Sequence, residues 1–433
     1  MMFSQIGDIE RFLHNRQAAL GMNFGLERMS LLLEKLGNPH HGQKYIHIAG
    51  SNGKGSTLQF LKAILIQAGY KTASFTSPYL ERLNEQLKIN EEMITDWELV
   101  EVFRKIWPAV EEMDQEGKGP TQFEILTAAA FQYFHEQNPD VVLLETGLGG
   151  RLDTTNVVQP LLSVITTISL EHTNILGDTL AEIAFEKAGI IKKEIPVISG
   201  VTEEEPAQVI REKAKTESAS CIEMGRDFMV KNIKQSGGSQ TFTYQYGKTS
   251  AENLRINMLG AHQIHNAALA VTAACVIREQ YGFAISEEAI KKGVEMARWK
   301  GRFEEVSEHP AVLLDGAHNP AGTEVLIKTL KDVYPGKKYV FVFSAFRDKD
   351  YQTMLRQLEK EAKSIILTEF EHERAASLEE LNQIQSDKVQ AWKDWHQAIR
   401  EGLKAAEEEN ALLVITGSLH FLMLVRPLFA AQK

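Results

Sequence analysis

A single lysine among glycines, in the sequence GSNGKGST at residues 50–57, has the composition of a phosphate-binding loop. Glycines let the backbone turn its N–H groups toward an anion, and Lys54 supplies a positive charge for the outer phosphates of a nucleotide. An apolar run ends just before the loop and apolar residues at helical spacing follow it, so we predict strand, loop and helix over residues 45–69. The predicted ligand is a nucleoside triphosphate; the alternative is a glycine-rich turn with a solvated lysine.

The spacing in this loop departs from the common phosphate-loop pattern. Ile48 stands where the first glycine of that pattern would be, and Gly55 separates Lys54 from the hydroxyls of Ser56 and Thr57. The prediction therefore depends on the order of strand, loop and helix rather than on the motif alone.

Three further chemically active side chains follow predicted strands. Ser77 follows the strand in KTASFTSPYL, Glu145 ends the apolar run VVLLE, and His172 follows LLSVITTIS. Taken singly, a serine at such a point often only forms a turn, and a lone histidine is more often structural. However, the carboxyl ends of parallel strands lie on one edge of a sheet, so these residues and the phosphate loop should meet there. This convergence favours a single ligand site.

Lys187 lies in the segment DTLAEIAFEKAGIIKK, whose apolar spacing predicts a helix. Its neighbours at helical spacing are apolar, among them Ile183, Ala184 and Ile190. A lysine is ordinarily a surface residue, but the stem of this one is predicted to run along apolar surface.

A second α/β pattern opens with AVLLDGAHNP, where Asp315 and His318 follow a strand, and continues through KKYVFVFSA, SIILTEF and ALLVITGS. The chain is thus predicted as an α/β protein with an N-terminal P-loop ATPase-like domain, built on a parallel-type sheet, and a smaller C-terminal Rossmann-like α/β domain. We place the first domain at 1–296, a linker at 297–304 and the second domain at 305–433. Residues 203–250 are predicted as a peripheral element of short strands.

Composition limits the class of protein. At 433 residues, two domains are expected, and 43% hydrophobic residues suffice for two cores. The net charge of -11 argues against nucleic acid or an anionic membrane surface as the main partner. Only Cys221 and Cys275 are present, and the first residues lack the pattern of a signal peptide, so we expect a reduced, cytoplasmic protein. No apolar run approaches the roughly 18 to 20 residues that span a bilayer.

Taken together, the motifs resemble those of one known family. They are GSNGKGS, TSPYL, ETGLGGRLDTTN, EHTNILGDTLAEIAFEKAGIIK, HNAALA, KGRFE, DGAHNP and the late TGS. In this order, which covers nearly the whole chain, they are similar to the folylpolyglutamate synthase family, including its bifunctional dihydrofolate synthase form, in the ATP-dependent Mur ligase superfamily.

The resemblance implies an amide ligase. ATP would phosphorylate a carboxylate of a reduced folate or of dihydropteroate, and the amine of L-glutamate would displace phosphate from the acyl phosphate. A carboxylate needs such a leaving group before an amine can attack it, and the site must align the reactants and exclude water. The implied cofactors are ATP and Mg²⁺. The expected partners are these small molecules, without nucleic acid or membrane, and the expected state is a monomer.

The resemblance also assigns roles to residues. ATP is expected to bind at Ser51, Asn52, Gly53, Lys54, Gly55, Ser56, Asn266, Arg302 and Asp315. The expected magnesium ligands are Ser77, Glu145 and His172. Lys187 matches a lysine that becomes carbamylated, which turns a cation into an anion near the magnesium. His318 shares a motif with Asp315, and we group it with Lys54 and Lys187 as catalytic while its role stays open.

Three features depart from the family pattern. Glu171 replaces the usual Asp before the metal histidine, a longer arm that can shift the geometry around the metal. Gln86 stands where the family usually has NER, which removes a guanidinium from a loop near the pterin or nucleotide. His420 and Phe421 replace an aromatic and aliphatic pair after TGS. The first two departures bear on the exact substrate and on efficiency, but not on the reaction class.

Two alternatives compete with this interpretation. The first is another ligase of the superfamily that joins a different amino acid to a cell-wall or storage-polymer precursor; we expect no added N-terminal UDP-binding domain, which argues against the cell-wall ligases. The second is a nucleotide-binding switch that uses ATP to change its affinity for a partner. A switch needs fewer charged groups near the γ-phosphate than Glu145, His172 and Lys187 provide.

Overall fold

The computed structural model describes residues 3–21, 24–236, 238–383 and 386–430. The chain forms two compact units. The first comprises Met1–Lys234, Thr241–Ile256 and His265–Ala297, and the second comprises Gln235–Gln240, Asn257–Ile264 and Arg298–Lys433. The functional domain boundaries stay a prediction.

Helices and strands alternate along most of the chain. The helices are α1 (Ile6–Leu20), α2 (Glu27–Lys35), α3 (Lys54–Gln67), α4 (Asp96–Gln115), α5 (Gln122–Gln137), α6 (Thr173–Leu176), α7 (Leu180–Ala188), α8 (Glu204–Thr216), α9 (Ala261–Tyr281), α10 (Glu287–Met296), α11 (Pro320–Val333), α12 (Tyr351–Glu361), α13 (Leu378–Leu381), α14 (Trp395–Glu408), α15 (Leu419–Val425) and α16 (Pro427–Ala430). Short 3₁₀ turns cover Leu83–Gln86 and Thr154–Val157.

The strands belong to three sheets. They are β1 (Tyr45–Ala49), β2 (Thr72–Phe75), β3 (Leu87–Ile89), β4 (Glu92–Met93), β5 (Val141–Glu145), β6 (Leu162–Ile165), β7 (Val197–Ser199), β8 (Cys221–Glu223), β9 (Phe228–Ser236), β10 (Ser239–Tyr246), β11 (Thr249–Ile256), β12 (Glu304–Glu308), β13 (Ala311–Leu314), β14 (Tyr339–Phe343), β15 (Ala362–Thr368), β16 (Val389–Trp392) and β17 (Leu412–Thr416).

The main sheet of the first unit has eight strands in the order β4-β3-β2-β5-β1-β6-β7-β8. The six strands β2-β5-β1-β6-β7-β8 are parallel to one another, and β3 and β4 extend the edge at β2 in antiparallel pairing. The central strands are buried at every position, as continuous apolar runs such as VVLLE predict for a sheet covered on both faces. Strand β1, which leads into the phosphate loop, lies between β5 and β6.

Helices before and after the first strand build one large core against this sheet. Met29 and Leu33 of α2 and Phe131 of α5 are fully buried in it, together with Phe103 of α4. A smaller core lies under α7 and α8, where Ile183 and other aliphatic residues are buried. These cores hold the strands in the register that the site requires.

The prediction of short strands over residues 203–250 was wrong at its beginning. Residues Glu204–Thr216 form α8, and only then do β8 and the separate three-stranded sheet β11-β10-β9 follow. Few residues of α8 are buried, with Ala207 and Ile210 among them, and most of its other residues are charged. The apolar stripe was therefore too weak to predict this helix.

The sheet of the second unit has six strands in the order β12-β13-β17-β14-β15-β16. All neighbours are parallel except β12 and β13. Strands β14 and β17 are buried throughout, and helices α11, α12 and α14 supply apolar faces to the cores around them. The predicted α/β class is confirmed in both units. Across the described ranges, no helix combines the length and apolar character needed to cross a membrane.

Candidate active site

Four neighbouring strands of the main sheet bring the predicted site residues to one edge. Strand β2 ends two residues before Ser77, β5 ends at Glu145, β1 leads into the phosphate loop, and β6 leads toward His172. The ends are level, because Phe75 pairs with Leu144, Ile48 with Glu145, and Ala49 with Ile165. Adjacent strands are about 4.8 Å apart, so the four ends span roughly 15 Å.

The phosphate loop ends in a left-handed residue at the start of a helix. Gly53 has φ of 87° and is the N-cap of α3, so Lys54 is the first residue of that helix. A left-handed backbone favours glycine at this position. The loop thus places the positive end of the α3 dipole and the N–H groups of its first turn at the sheet edge.

Two backbone N–H groups of the loop are already bonded within the protein. The N–H of Ser51 donates to the carbonyl of Thr167 at 2.8 Å, and the N–H of Asn52 donates to the Thr167 hydroxyl at 3.0 Å. The N–H groups of residues 51 and 52 therefore already have partners, which leaves those of the first turn of α3 as the candidates for binding an anion. Lys54 Nζ donates to the carbonyl of Gly50 at 2.8 Å, so binding a phosphate requires it to exchange this partner.

Hydroxyl groups after β6 hold the loop in place, and the sequence alone had not singled them out. Thr166 Oγ1 donates to the carbonyl of Asn52 at 2.6 Å, and Thr167 Oγ1 donates to the same oxygen at 3.1 Å. Ser51 Oγ accepts the N–H of Ser169 at 2.9 Å. We call residues Thr166, Thr167 and Ser169 the hydroxyl clasp. Their only signal in the sequence is the position of TTIS directly after a strand.

Asn266, a predicted ATP contact in α9, lies against the phosphate loop. A β-carbon at Gly53 would be 2.4 Å from Asn266 Oδ1, closer than such atoms approach in real structures. Asn266 is also buried, with 4% of its surface exposed. Residues more than 200 positions apart are thus brought together at the loop.

Lys187 and Glu171 form a buried ion pair at the same edge. Lys187 lies in the last turn of α7, is 1% exposed, and donates from Nζ to Glu171 Oε1 at 2.7 Å. Burial lowers the pKa of Lys187, the Glu171 carboxylate opposes that shift, and the charge of Lys54 adds to it. Because Lys54 acts on this pKa, Lys187 is within electrostatic range of the phosphate loop.

The loop after Glu145 is organised by a buried carboxylate. Asp153 accepts the N–H of Leu148 at 2.9 Å and the N–H of Thr155 at 3.0 Å. Burial raises the pKa of Asp153, and these hydrogen bonds oppose the shift. The Thr155 hydroxyl in turn bonds Nε2 of His47 in β1 at 2.8 Å. The turn that follows Glu145 is therefore tied to the strand that carries the phosphate loop.

The segment after Ser77 folds around one carboxylate. The peptide bond between Ser77 and Pro78 is cis, and Glu85 accepts the N–H groups of Leu80 and Glu81 at 2.9 and 3.1 Å. Gln86 is buried, and its backbone carbonyl accepts the N–H of Thr76 at 3.1 Å. Gln86 is thus built into the base of this loop.

In the second unit, Asp315, Arg302 and His318 lie together beyond β13. Asp315 accepts the N–H groups of Phe303 and Ala317, both at 2.9 Å. Burial raises the pKa of Asp315, and the nearby Arg302 guanidinium opposes the shift. Arg302 donates to the carbonyl of Gly316 at 3.1 Å, and Nδ1 of His318 lies 2.8 Å from the same oxygen. Nδ1 must carry the proton there, so Nε2 is the basic nitrogen of the neutral ring.

His420, one of the departures from the family pattern, belongs to a ring cluster at the carboxyl edge of the second sheet. Its ring is 4.6 Å from that of His372 and stacks on Phe370 at 5.5 Å. Burial lowers the pKa of His420 to about 4, with a further contribution from His372 and Arg374. The ring is therefore neutral at physiological pH and contributes mainly packing.

The described residues contain no group of three or more His, Cys, Asp or Glu that could hold a metal ion by themselves. The predicted magnesium set has only two residues of these types, Glu145 and His172, and a hydroxyl from Ser77. His172 has a left-handed backbone with φ of 46° and precedes α6 directly.

The fold is that of a Mur ligase. The chain matches the Mur ligase middle domain over residues 48–274 and the Mur ligase glutamate ligase domain over residues 301–419. The first match contains every predicted site residue of the first unit, and the second contains Arg302, Asp315 and His318.

Similarity to individual proteins narrows this class. The chain is 40% identical to the dihydrofolate synthase/folylpolyglutamate synthase of Bacillus subtilis, over 98% of this chain and 99% of that protein. A Mycobacterium tuberculosis folylpolyglutamate synthase complexed with ADP and AMPPCP superimposes with a TM-score of 0.90 at 30% identity, over 98% of this chain and 97% of that one. A folylpolyglutamate synthase complex with AMPPCP and folate gives 0.86 at 30% identity, over 98% and 99%. The chain belongs to the folylpolyglutamate and dihydrofolate synthase family.

Proposed function

We propose that the chain is an ATP-dependent amide ligase that joins L-glutamate to a reduced folate and also to dihydropteroate. One observation carries the proposal. A phosphate loop and the buried Glu171–Lys187 pair lie at one edge of a parallel sheet, beside the strand end at Glu145, in a chain of the folylpolyglutamate and dihydrofolate synthase family. The bound AMPPCP and folate of the relatives support ATP and a folate as substrates.

The reaction has two steps. A carboxylate oxygen of the folate attacks the γ-phosphorus of ATP, the bond to the β-phosphate oxygen breaks, and ADP leaves. The amine of glutamate then attacks the acyl carbon, the bond to the phosphate oxygen breaks, and the amine loses a proton. The protein must align these groups and keep water from the acyl phosphate.

The ATP phosphates are proposed to bind at the start of α3. The N–H groups of the first turn and the α3 dipole favour anions there, and Lys54 leaves the carbonyl of Gly50 to reach the outer phosphates. Ser51 and Asn52 serve this site through the hydroxyl clasp, since their N–H groups are bonded to Thr167. Further proposed members are Gly53, Gly55, Ser56 and Asn266.

Magnesium is proposed to bind Ser77, Glu145 and His172. The donor set fits, because hydroxyl and carboxylate oxygens are hard ligands of the kind magnesium prefers, and they follow the adjacent strands β2 and β5. The imidazole is the unusual member and rests on the family resemblance. A bound magnesium ion would offset the charge of the ATP phosphates during transfer.

Lys187 is proposed to be carbamylated in the active enzyme. Its burial and lowered pKa favour the free amine, whose nitrogen forms a bond to the carbon of CO₂ and releases a proton. The product is an anion beside the γ-phosphate and metal site, and Glu171 must then give up its present contact with the amine.

Three residues of the second unit have proposed roles in the reaction. Arg302 lies in the proposed linker at 297–304, and Asp315 and His318 lie in the proposed domain at 305–433. Arg302 and Asp315 contact ATP in this proposal. The Nδ1 proton of His318 is held by the Gly316 carbonyl, so its Nε2 is the nitrogen that can exchange a proton.

The dihydropteroate half of the proposal rests on the bifunctional relative, since that Bacillus subtilis protein is named for both activities. Gln86 is the residue of this chain that bears on the use of dihydropteroate, because its side chain is buried at the base of the loop after Ser77. We further propose that the protein is a monomer and that it is cytoplasmic. The free thiols of Cys221 and Cys275 agree with a reducing compartment such as the cytoplasm.

A test is to incubate the purified chain with ATP, L-glutamate and either tetrahydrofolate or dihydropteroate, and to measure product masses and ADP. The expected result is a folate product heavier by one or more glutamyl residues, with ADP formed beyond one equivalent of enzyme only when glutamate and the folate are both present. If ATP is consumed at the same rate with and without glutamate, and no product of raised mass forms, the result would favour the nucleotide-dependent switch.

A further inference from the structure

The segment RLDTTN, residues 151–156, has no part in the proposed contacts with ATP or magnesium, yet it packs against the helix that carries Lys187. The N–H of Arg151 donates to the carbonyl of Glu186, the residue before Lys187, at 2.7 Å. The loop after Glu145 therefore meets the last turn of α7 through a direct backbone hydrogen bond.

Two glycines let this loop and helix end approach without side chains between them. A β-carbon at Gly150 would lie 2.9 Å from the carbonyl oxygens of both Glu186 and Lys187. A β-carbon at Gly189 would lie 2.3 Å from the Cα of Arg151. Because backbone meets backbone on both sides, a displacement of the loop must displace the end of α7.

Asn156 connects the two sides from a buried position. It is 5% exposed, and its Nδ2 donates to the carbonyl of Arg151 at 3.0 Å and to the carbonyl of Gly189 at 3.1 Å. Gly189 is the residue that ends α7. The amide thus bonds the loop and the helix end at once, which only a side chain with two N–H groups in this place can do.

An ion pair adds to this contact but is the weaker part of it. Arg151 donates from Nη2 and Nε to Glu186 Oε1 at 2.9 and 3.1 Å, and the Arg151 side chain is 44% exposed. Exposed ion pairs contribute little, whereas a buried amide that bonds two carbonyls is costly to replace. Asn156 is therefore the residue whose substitution should move α7 most.

We infer that Asn156 is a positioning residue for Lys187: its amide fixes the last turn of α7 on the loop after β5 and so sets where Lys187 Nζ stands relative to Glu171 and the phosphate loop. The inference rests on the catalytic role proposed for Lys187. A displacement of about 1 Å in such a group can reduce a rate by about a hundredfold.

The test is the isosteric substitution Asn156→Asp, which removes both N–H donors and places carboxylate oxygens against two carbonyls. Steady-state kinetics with ATP, tetrahydrofolate and glutamate should give a kcat at least tenfold lower, with the KM for ATP and the Kd for AMPPCP changed less than threefold. The AMPPCP value should hold because the hydroxyl clasp, not Asn156, holds the phosphate loop. The carbon-13 carbamate signal after labelled bicarbonate should fall as well.

Two control variants separate position from charge and from stability. Asn253→Asp adds the same charge at an exposed position in the first unit. Thr272→Val removes a buried hydrogen bond between its hydroxyl and Tyr244 in that unit. Both should keep kcat within twofold of the wild type. If Asn156→Asp does not fold, Arg151→Ala takes its place, because it removes the partly exposed ion pair between the same loop and α7. Its kcat should fall threefold to tenfold with the Kd for AMPPCP changed less than threefold, and a wild-type kcat in this variant overturns the inference.

A folded Asn156→Asp variant with wild-type kcat overturns the inference. An equal loss of kcat and of AMPPCP affinity also overturns it, because the effect would then be general damage to the unit. Absence of ligation by the wild-type chain would refute the proposed function and this inference together, and it is measured before any variant is compared.

Discussion

The contact between Gly53 and Asn266 gives a prediction with an internal control at the other end of the same helix. Gly53 and Gly69 flank α3, and both have φ of 87°. A β-carbon at Gly53 would be 2.4 Å from Asn266 Oδ1, whereas a β-carbon at Gly69 would have nothing within 4 Å. Alanine at either site therefore meets the same backbone strain, and only the Gly53 variant must also displace Asn266.

The two effects have separate magnitudes. A left-handed backbone costs alanine about 1–2 kcal/mol, so Gly53→Ala and Gly69→Ala should each lose at least this much free energy of unfolding. Loss of one hydrogen bond between Asn266 and a charged ligand costs about 1.5–3 kcal/mol. This corresponds to roughly a 10- to 150-fold weaker Kd for ATP in the Gly53 variant alone.

Urea unfolding and calorimetric titration with AMPPCP measure these quantities on the two purified variants. We expect Gly69→Ala to bind AMPPCP like the wild type despite its lower stability. If Gly53→Ala binds AMPPCP as tightly as Gly69→Ala does, the assignment of Asn266 and of the loop to the nucleotide is wrong.

Four further predictions concern single side chains. Lys54→Ala should abolish ligation in a folded protein, because alanine suits the first turn of α3 but carries no charge for the phosphates; unchanged kcat would remove the loop from the mechanism. Lys187→Ala should lose ligation and regain part of it with added acetate, whereas a plain ammonium at Lys187 in electron density of the active enzyme would exclude the carbamate. Thr167→Val removes the hydroxyl that holds Asn52, so we expect a KM for ATP raised about three- to tenfold with intact folding, and an unaltered KM would show that the hydroxyl clasp is dispensable. Burial lowers the pKa of His47 to about 3, so below pH 6.5 the unfolded chain takes up a proton that the folded chain does not. The free energy of unfolding should therefore decrease as the pH decreases below 6.5, by up to about 1.4 kcal/mol per pH unit. Urea unfolding of His47→Gln should show a smaller decrease between pH 6 and pH 5 than the wild type does.

The positions of the strand ends could be predicted because they follow from local patterns. Apolar runs such as VVLLE mark buried strands, and parallel strands must end on one edge, so the edge shared by Ser77, Glu145 and the phosphate loop followed without knowledge of the strand order. The resemblance then supplied residue types that periodicity cannot, such as Asn266, which lies against Gly53.

The contacts that hold these residues in place could not be predicted from the pattern. Thr167 and Asn52 are 115 residues apart, and a threonine after a strand has many ordinary explanations. The two hydrogen bonds of Asn156 depend on the close approach of Gly150 and Gly189 to backbone, which exists only in the folded chain. Lys187 was predicted to run along apolar surface, but its partner Glu171 was identified only by the folded geometry.

The central claim is that ATP activates the folate carboxylate before glutamate attacks. The most direct measurement uses tetrahydrofolate labelled with oxygen-18 in the reacting carboxylate, with ATP and glutamate, and detects the label in inorganic phosphate by mass spectrometry. The account predicts that each phosphate formed carries one oxygen from that carboxylate, since the acyl–phosphate bond breaks when the amine attacks. Phosphate that carries no label while the glutamyl product forms would contradict it.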